Sequence, residues 1–169
     1  MEKDTDKEIN IRVLVENEYQ EAMELAYRVF NEFEAVNYSK EGISEFAATI
    51  ADKQFLSSLK IYGAFKKKEL LGLIATRDNG SHIALFFVEG KYRRQGIGRN
   101  LFEHMLDKTN AEKITVNSSV FARDIYRRFG FRQFEDEKEV NGLRFIPMVF
   151  YRKELKNKVQ NELLRRDTE

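Results

Sequence analysis

The sequence contains no cysteine and only two histidines, and these shortages exclude several kinds of chemistry. Without cysteine the chain forms no disulfide, carries no thiol nucleophile and offers no thiolate ligand to a metal ion. His82 and His104 lie far apart in the sequence, and no His-Glu-x-x-His pattern or closely spaced acidic cluster accompanies them. We therefore expect no metal site and no thiol chemistry from the protein itself.

An excess of charge of one sign and a long apolar run are also missing. The 29 Lys and Arg residues nearly balance the 28 Asp and Glu residues, and the net charge of +1 argues against a general nucleic-acid or membrane binder. The longest apolar stretch, residues 83–88, is far too short to cross a bilayer. These features predict a cytoplasmic protein with no nucleic-acid or membrane partner. Because no linker divides the 169 residues, we expect one domain, residues 1–169, with a charged tail from about residue 153.

Apolar residues recur at alternating or helical spacing along most of the chain, which predicts the order of strands and helices. The expected strands cover residues 9–16, 61–65, 70–76, 82–88, 113–116, 131–140 and 143–152. The expected helices cover residues 18–36, 39–58, 96–109 and 122–129, and residues 153–169 form a weak helix or a frayed end. This order implies an α/β (α+β) fold with a mixed sheet and helices on both faces.

The strand at residues 82–88 leads into a basic, glycine-spaced turn that opens a helix, with the sequence Arg93-Arg94-Gln95-Gly96-Ile97-Gly98-Arg99. The start of a helix exposes unpaired N–H groups and the positive end of the helix dipole, and the two glycines let an anion approach the backbone. The turn therefore predicts a phosphate site. The alternative is a tight strand-to-helix connection that binds nothing, with Arg94 and Arg99 as solvated surface charges.

Two well-known phosphate loops do not fit this turn. A Walker-type loop needs Gly-Lys-Ser/Thr four residues after an earlier glycine, whereas here five residues separate Gly90 from Gly96 and Ile97 follows. The dinucleotide fingerprint needs a third glycine where this chain has Leu101.

The pattern Arg93-x-x-Gly96-x-Gly98 resembles the acetyl-coenzyme A loop of the GNAT (Gcn5-related) N-acetyltransferases. A downstream segment resembles the same family in order and spacing: Asn117-Ser118-Ser119, Ala122, Ile125-Tyr126 and Phe129-Gly130-Phe131. Together the two segments span residues 82–131. The resemblance implies a GNAT-like acyl-CoA acyltransferase fold, with a mostly antiparallel sheet whose strands at residues 82–88 and 113–116 splay apart.

The resemblance also implies a function. The protein would transfer an acetyl group from acetyl-CoA to a primary amine of a small molecule or peptide, by direct attack in a ternary complex. The residues that this likeness assigns to the coenzyme are Phe87, Val88, Arg93, Arg94, Gln95, Gly96, Ile97, Gly98, Arg99, Asn117 and Tyr126. A homodimer through the last strands is consistent with the family, and the amine acceptor is not readable from the sequence.

The resemblance implies two catalytic groups and leaves a third open. A backbone N–H near Val88 would stabilise the oxyanion, and Tyr126 would protonate the leaving thiolate, although Tyr126 also belongs to an apolar helix face. Many relatives use a glutamate on the strand before the loop as the base, but that strand here has no carboxylate before Glu89. Neither His82 nor Glu45 has better support, so the base stays unassigned. The alternative function is a non-catalytic acyl-CoA sensor or interaction module.

Overall fold

The computed structural model describes residues 8–166. Its strands are β1 (Asn10–Val13), β2 (Lys60–Lys66), β3 (Glu69–Arg77), β4 (His82–Val88), β5 (Lys113–Ser118), β6 (Arg132–Gln133), β7 (Lys138–Val140) and β8 (Leu143–Tyr151). Its α-helices are α1 (Tyr19–Phe33), α2 (Lys40–Ala51), α3 (Lys53–Ser57), α4 (Ile97–Lys108), α5 (Arg123–Phe129) and α6 (Arg152–Arg166). No helix among these residues is long and apolar enough to span a membrane.

The strands form one sheet in the order β1-β2-β3-β4-β5-β8-β6, and β7 pairs with β8. Among the described residues 8–166, only β4 and β5 pair in parallel, and the other pairs are antiparallel. The apolar stripe of α1 and part of α2 pack on one face, and α4 and α5 pack on the other. The predicted mixed, mostly antiparallel sheet with helices on both faces is therefore confirmed.

A bulge in β4 separates this strand from β5. Ala75 pairs with Leu85 and Thr76 pairs with Ile83, so Ala84 is an extra residue without a partner on β3. The parallel pairing with β5 ends at the same place: it joins only His82 to Thr115 and Ile83 to Val116. Because an extra residue bends a strand and increases its twist, β4 turns away from β5 at Ala84. The rest of β4 borders an open gap.

Two predicted elements are divided in the structure. The helix expected over residues 39–58 is broken at Asp52, whose extended backbone ends α2 and whose Oδ1 accepts a hydrogen bond of 2.8 Å from the Gln54 N–H to begin α3. The arm expected over residues 131–140 forms only the short strands β6 and β7. The predicted tail helix is present as the exposed α6, and residues 167–169 lie outside the described residues.

The start of α2 packs directly on the turn between β7 and β8. Gly42 and Gly142 meet backbone to backbone, and a Cβ added at Gly42 would overlap the carbonyl oxygen of Gly142. Ser39 caps this end of α2, since its Oγ accepts a hydrogen bond of 3.2 Å from the Gly42 N–H. Helix α2 and the hairpin together form the wall that faces the gap beside β4.

Candidate active site

The backbone of β4 presents unpaired polar groups to the gap. The Glu89 N–H donates to the Leu71 carbonyl at 2.9 Å, and N–H groups of successive strand residues point to opposite sides. Phe87, opposite Leu73, therefore directs its N–H and C=O towards β3, whereas Phe86 and Val88 direct theirs into the gap. The expectation that Phe87 offers backbone groups to a ligand needs correction. The backbone groups that face the gap belong to Phe86 and Val88, and ligand binding by Val88 stays a prediction.

The turn before α4 presents a second set of unpaired N–H groups. Gly96 precedes the helix with φ +82°, and no side chain caps the helix there. The first hydrogen bond within the helix runs from the Asn100 N–H to the Gly96 carbonyl at 2.9 Å. The N–H groups of Ile97, Gly98 and Arg99 come before it and are the helix's unpaired donors.

The two glycines of this turn have different surroundings. A Cβ at Gly96 would meet nothing within 4 Å, so the site outside it is open to a ligand, and its positive φ favours glycine. A Cβ at Gly98 would instead point inwards, 3.7 Å from Cζ of Phe86. Of the two glycines, only Gly96 is thus required by its backbone conformation. Arg94 in the same turn also has a positive φ, +60°, which is strained for a residue with a side chain.

The basic side chains of the turn do not all face outwards. Arg94 and Gln95 are exposed, and Arg99 is exposed with its guanidinium 5.2 Å from the ring centre of Phe129.

Arg93 was predicted beside the phosphate, but its guanidinium lies over the ring of Phe33 at 3.6 Å from the centroid. Its Nε is buried and has no hydrogen-bond partner within the described residues. The side chain of Arg93 therefore belongs to the layer beneath the turn, while its backbone remains in the turn.

A cleft of about 300 Å³ continues from the gap towards α2 and the β7–β8 hairpin. Most of its lining is aromatic or aliphatic, contributed by Phe30, Tyr38, Phe46, Phe55, Phe86, Phe87 and Leu143. Its ionisable lining residues include Glu34, Glu45, Arg77, His82 and Arg144. Tyr126 and Asn117 also line it. The structure thus joins a turn with unpaired N–H groups, a strand with unpaired backbone groups and an apolar cleft.

Comparisons with known proteins agree with this arrangement. The sequence profile of the acetyltransferase (GNAT) domain matches residues 34–152, well over half of the chain. The chain belongs to the GNAT acetyltransferase family. A search of curated proteins finds no significant sequence match.

Solved structures share the fold of this GNAT domain. The GCN5-related N-acetyltransferase from Rhodopseudomonas palustris has a TM-score of 0.73 and 18% identity, covering 84% of this chain and 94% of that one. PaiA N-acetyltransferase from Thermoplasma acidophilum, in complex with coenzyme A, has a TM-score of 0.62 and 18% identity, with coverages of 85% and 99%. The ribosomal-protein-S18-alanine N-acetyltransferase from Escherichia coli has a TM-score of 0.57 and 18% identity, with coverages of 85% and 94%.

Tyr126 of this GNAT domain lies under the gap. Its side chain is only 6% exposed, and its ring packs against those of Phe86 and Phe131 at centroid distances of 6.1 and 5.4 Å. Burial, reinforced by the negative charge of Glu34, raises the pKa of Tyr126 above its ordinary value. The hydroxyl therefore stays protonated and remains a hydrogen-bond donor through the neutral pH range.

Asn117 was predicted to follow the end of a strand. It lies inside β5 instead, opposite Pro147 of β8, because β5 continues to Ser118. Its side chain is exposed and lines the cleft.

Glu34 is a site residue that the sequence analysis missed. It directly follows α1, and its Oε1 accepts a hydrogen bond of 3.1 Å from the Ser119 hydroxyl in the loop before α5. Burial raises the pKa of this carboxyl, and the Ser119 hydrogen bond and the charge of Arg93 oppose the rise. A carboxylate at the C-terminal end of a helix opposes the helix dipole, and this was the signal available in the sequence.

The two bases considered from the sequence have different surroundings. His82 Nδ1 is 2.8 Å from Thr115 Oγ1 across the β4–β5 pairing, and burial, helped by Arg77, lowers its pKa to about 4. Glu45 lies on α2, where its Oε1 accepts from Asn141 Nδ2 at 3.4 Å. Glu89, the first carboxylate after β4, forms an ion pair with Arg28 of α1.

Replacing Glu34 by Gln is expected to stabilise the protein at neutral pH. A carboxyl whose folded pKa is raised contributes stability below its ordinary value of 4.5, and this contribution is lost as the pH rises through the folded pKa. The melting temperature of Glu34→Gln should exceed that of the parent at pH 7.5, by an amount on the order of a few degrees, and the difference should shrink towards pH 4.

Glu32→Gln is the matched control, because it removes the same charge from an exposed neighbour and should hardly change the melting temperature. A lower melting temperature for Glu34→Gln than for the parent at pH 7.5 would contradict the burial argument.

Proposed function

We propose that this protein transfers an acetyl group from acetyl-CoA to a primary amine of a small molecule or peptide, by direct attack in a ternary complex. The observation that carries the proposal is the gap at β4, where the Val88 N–H is unpaired and lies on the strand that leads into the amide-rich turn. The PaiA relative, whose structure contains coenzyme A, supports a donor of this type.

The residues present fit such a donor. The open space outside Gly96 and the unpaired N–H groups at the start of α4 suit the phosphates, with Arg94 and Arg99 as exposed cations nearby. The backbone groups of Phe86 and Val88 suit an amide-bearing arm that adds to β4 like a further strand. Acetyl-CoA, when bound, supplies an activated acyl carbon and a thiolate leaving group.

Two groups of the protein would take part in the reaction, one by stabilising negative charge on the acyl oxygen and one by donating a proton to the sulfur. The Val88 N–H donates to the acyl oxygen as negative charge develops there, and a fixed donor of this kind typically contributes several kcal/mol to the transition state. The Tyr126 hydroxyl, still protonated, donates to the sulfur as the thiolate leaves. The apolar cleft, which Tyr126 lines, excludes water from its hydroxyl and so strengthens this interaction.

Replacing Gly96 by Ala should weaken acetyl-CoA binding. At φ +82° a side chain costs about 1–2 kcal/mol, so the turn relaxes and its N–H groups lose their common direction. We expect the Kd measured by calorimetry to rise roughly tenfold. Gly98→Ala keeps every N–H and makes only ordinary contacts at 3.7 and 3.8 Å, so its effect should be clearly smaller. Equal effects of the two variants, or no binding by the parent, would contradict this site.

Replacing Tyr126 by Phe should slow turnover without weakening acetyl-CoA binding. Loss of a general acid typically costs about 100-fold or more in kcat, because the thiolate then leaves without a proton. Thiol release in the presence of an amine measures the rate, and Tyr27→Phe, an exposed tyrosine of α1, is the control. Unchanged turnover in Tyr126→Phe would remove its catalytic role. Binding of acetyl-CoA by the parent without any turnover would favour the sensor function.

A further inference from the structure

Glu34 lines the same cleft as the residues of β4 that border the gap. Its carboxylate is held by the hydroxyl of Ser119 at 3.1 Å, and the Ser119 Oγ also accepts a hydrogen bond of 3.1 Å from the Ala122 N–H. These two bonds connect the end of α1 to the start of the helix that carries Tyr126. A carboxylate and the tyrosine hydroxyl thus line one cleft, and nothing in the mechanism above uses the carboxylate.

We propose that Glu34 binds the ammonium group of the acceptor and takes its proton, and that the acceptor is a primary amine carried on an apolar or aromatic body. This inference rests on the acetyltransferase function proposed above. It names the missing base and the chemical class of the acceptor.

A base is needed because an alkylammonium ion has a pKa of roughly 10 and holds no lone pair for attack. The proton passes from the nitrogen to the Glu34 carboxylate and then to water at the cleft mouth. The nitrogen forms a bond to the acetyl carbon, and the bond from that carbon to sulfur breaks. The nitrogen then loses a second proton to the Glu34 carboxylate, which has already released the first to water. Tyr126 gives its proton to the sulfur and regains one from water, so the net release is one proton per acetyl group transferred.

The charged and polar groups around Glu34 favour both the binding of an ammonium group and the acceptance of its proton. From the turn before α4, the guanidinium of Arg93, which is stacked on the Phe33 ring, favours the ionised form of Glu34 through its charge. From the segment after α1 and from α5, Tyr38 and Tyr126 contribute neutral hydroxyls, since burial raises the pKa of both. A desolvated carboxylate attracts a cation more strongly than one in water and accepts its proton more readily.

The wall of the cleft beside Glu34 suits an apolar body. The rings of Phe30 and Phe46 stack at 4.0 Å, and Phe46 meets Phe87 edge-on at 5.9 Å, so the wall beside Glu34 is aromatic. Arg77 also lines the cleft, and its Nε lies 3.7 Å from Asp78 Oδ2. On the hairpin wall, the cation of Arg144 is occupied by Glu137, with Nε 2.7 Å from Oε1. An acceptor with a carboxylate next to its amine would bring that negative charge against Glu34.

The test uses phenethylamine and phenylalanine, which differ by the carboxylate beside the amine, with acetyl-CoA and a thiol-release assay. The parent should acetylate phenethylamine with a kcat/KM at least tenfold above that for phenylalanine. Glu34→Gln should lower kcat/KM for phenethylamine at pH 7 by about 100-fold or more, and the deficit should shrink towards pH 10, where the free amine is abundant. Its Kd for acetyl-CoA should be unchanged.

Glu32→Gln is the matched control, because it removes an exposed carboxylate of α1 that does not line the cleft and should stay within about threefold of the parent. Glu34→Asp, which retracts the carboxylate by one methylene and keeps its charge, is a second variant. It should lose about tenfold and keep the pH profile of the parent.

Three further outcomes would overturn different parts of the proposal. Turnover of phenethylamine by Glu34→Gln within threefold of the parent overturns the role of Glu34 and leaves the acetyltransferase function intact. A parent that binds acetyl-CoA but acetylates neither amine overturns the acceptor class. A parent that does not bind acetyl-CoA overturns the proposed function itself, and with it this inference.

Discussion

The separation of β4 from β5 at Ala84 is the constraint on which the rest of the site depends. A central strand of a sheet normally has both edges paired, and here the edge of β4 that faces β5 is unpaired beyond Ile83. Unpaired backbone groups in the middle of a protein are costly unless another partner satisfies them. A ligand that lies along β4 would provide that partner. The bulge thus leaves backbone N–H and C=O groups of β4 available for binding.

The two ends of the site are connected through the end of α1. Phe33 packs under Arg93 of the turn, while the next residue, Glu34, bonds to Ser119 in the loop that leads to Tyr126. A cation that is stacked on a ring and faces a carboxylate keeps these segments in a fixed relation. The turn that would hold phosphate and the carboxylate that would hold an ammonium are therefore positioned by the same short stretch of helix.

Much of the fold and the turn at Gly96 could be read from the sequence, because apolar periodicity and glycine spacing are local signals. The bulge at Ala84 could not, since residues 82–88 are apolar at nearly every position and do not reveal a change of face. Phe87 and Val88 were expected together at the gap from the family resemblance, but successive residues of a strand direct their backbone groups to opposite sides. Glu34 was missed because its partner Ser119 is 85 residues away, and only the folded chain brings the two together.

The most direct measurement of the central claim is the response of the β4 amide signals in ¹H–¹⁵N NMR spectra as coenzyme A is added. The backbone alternation predicts that the N–H signals of Phe86 and Val88 shift and that their exchange with solvent slows, whereas those of Leu85 and Phe87, already directed at β3, change little. Unchanged signals for Phe86 and Val88 in a protein that binds the coenzyme would contradict the account, as would equal changes in all four residues.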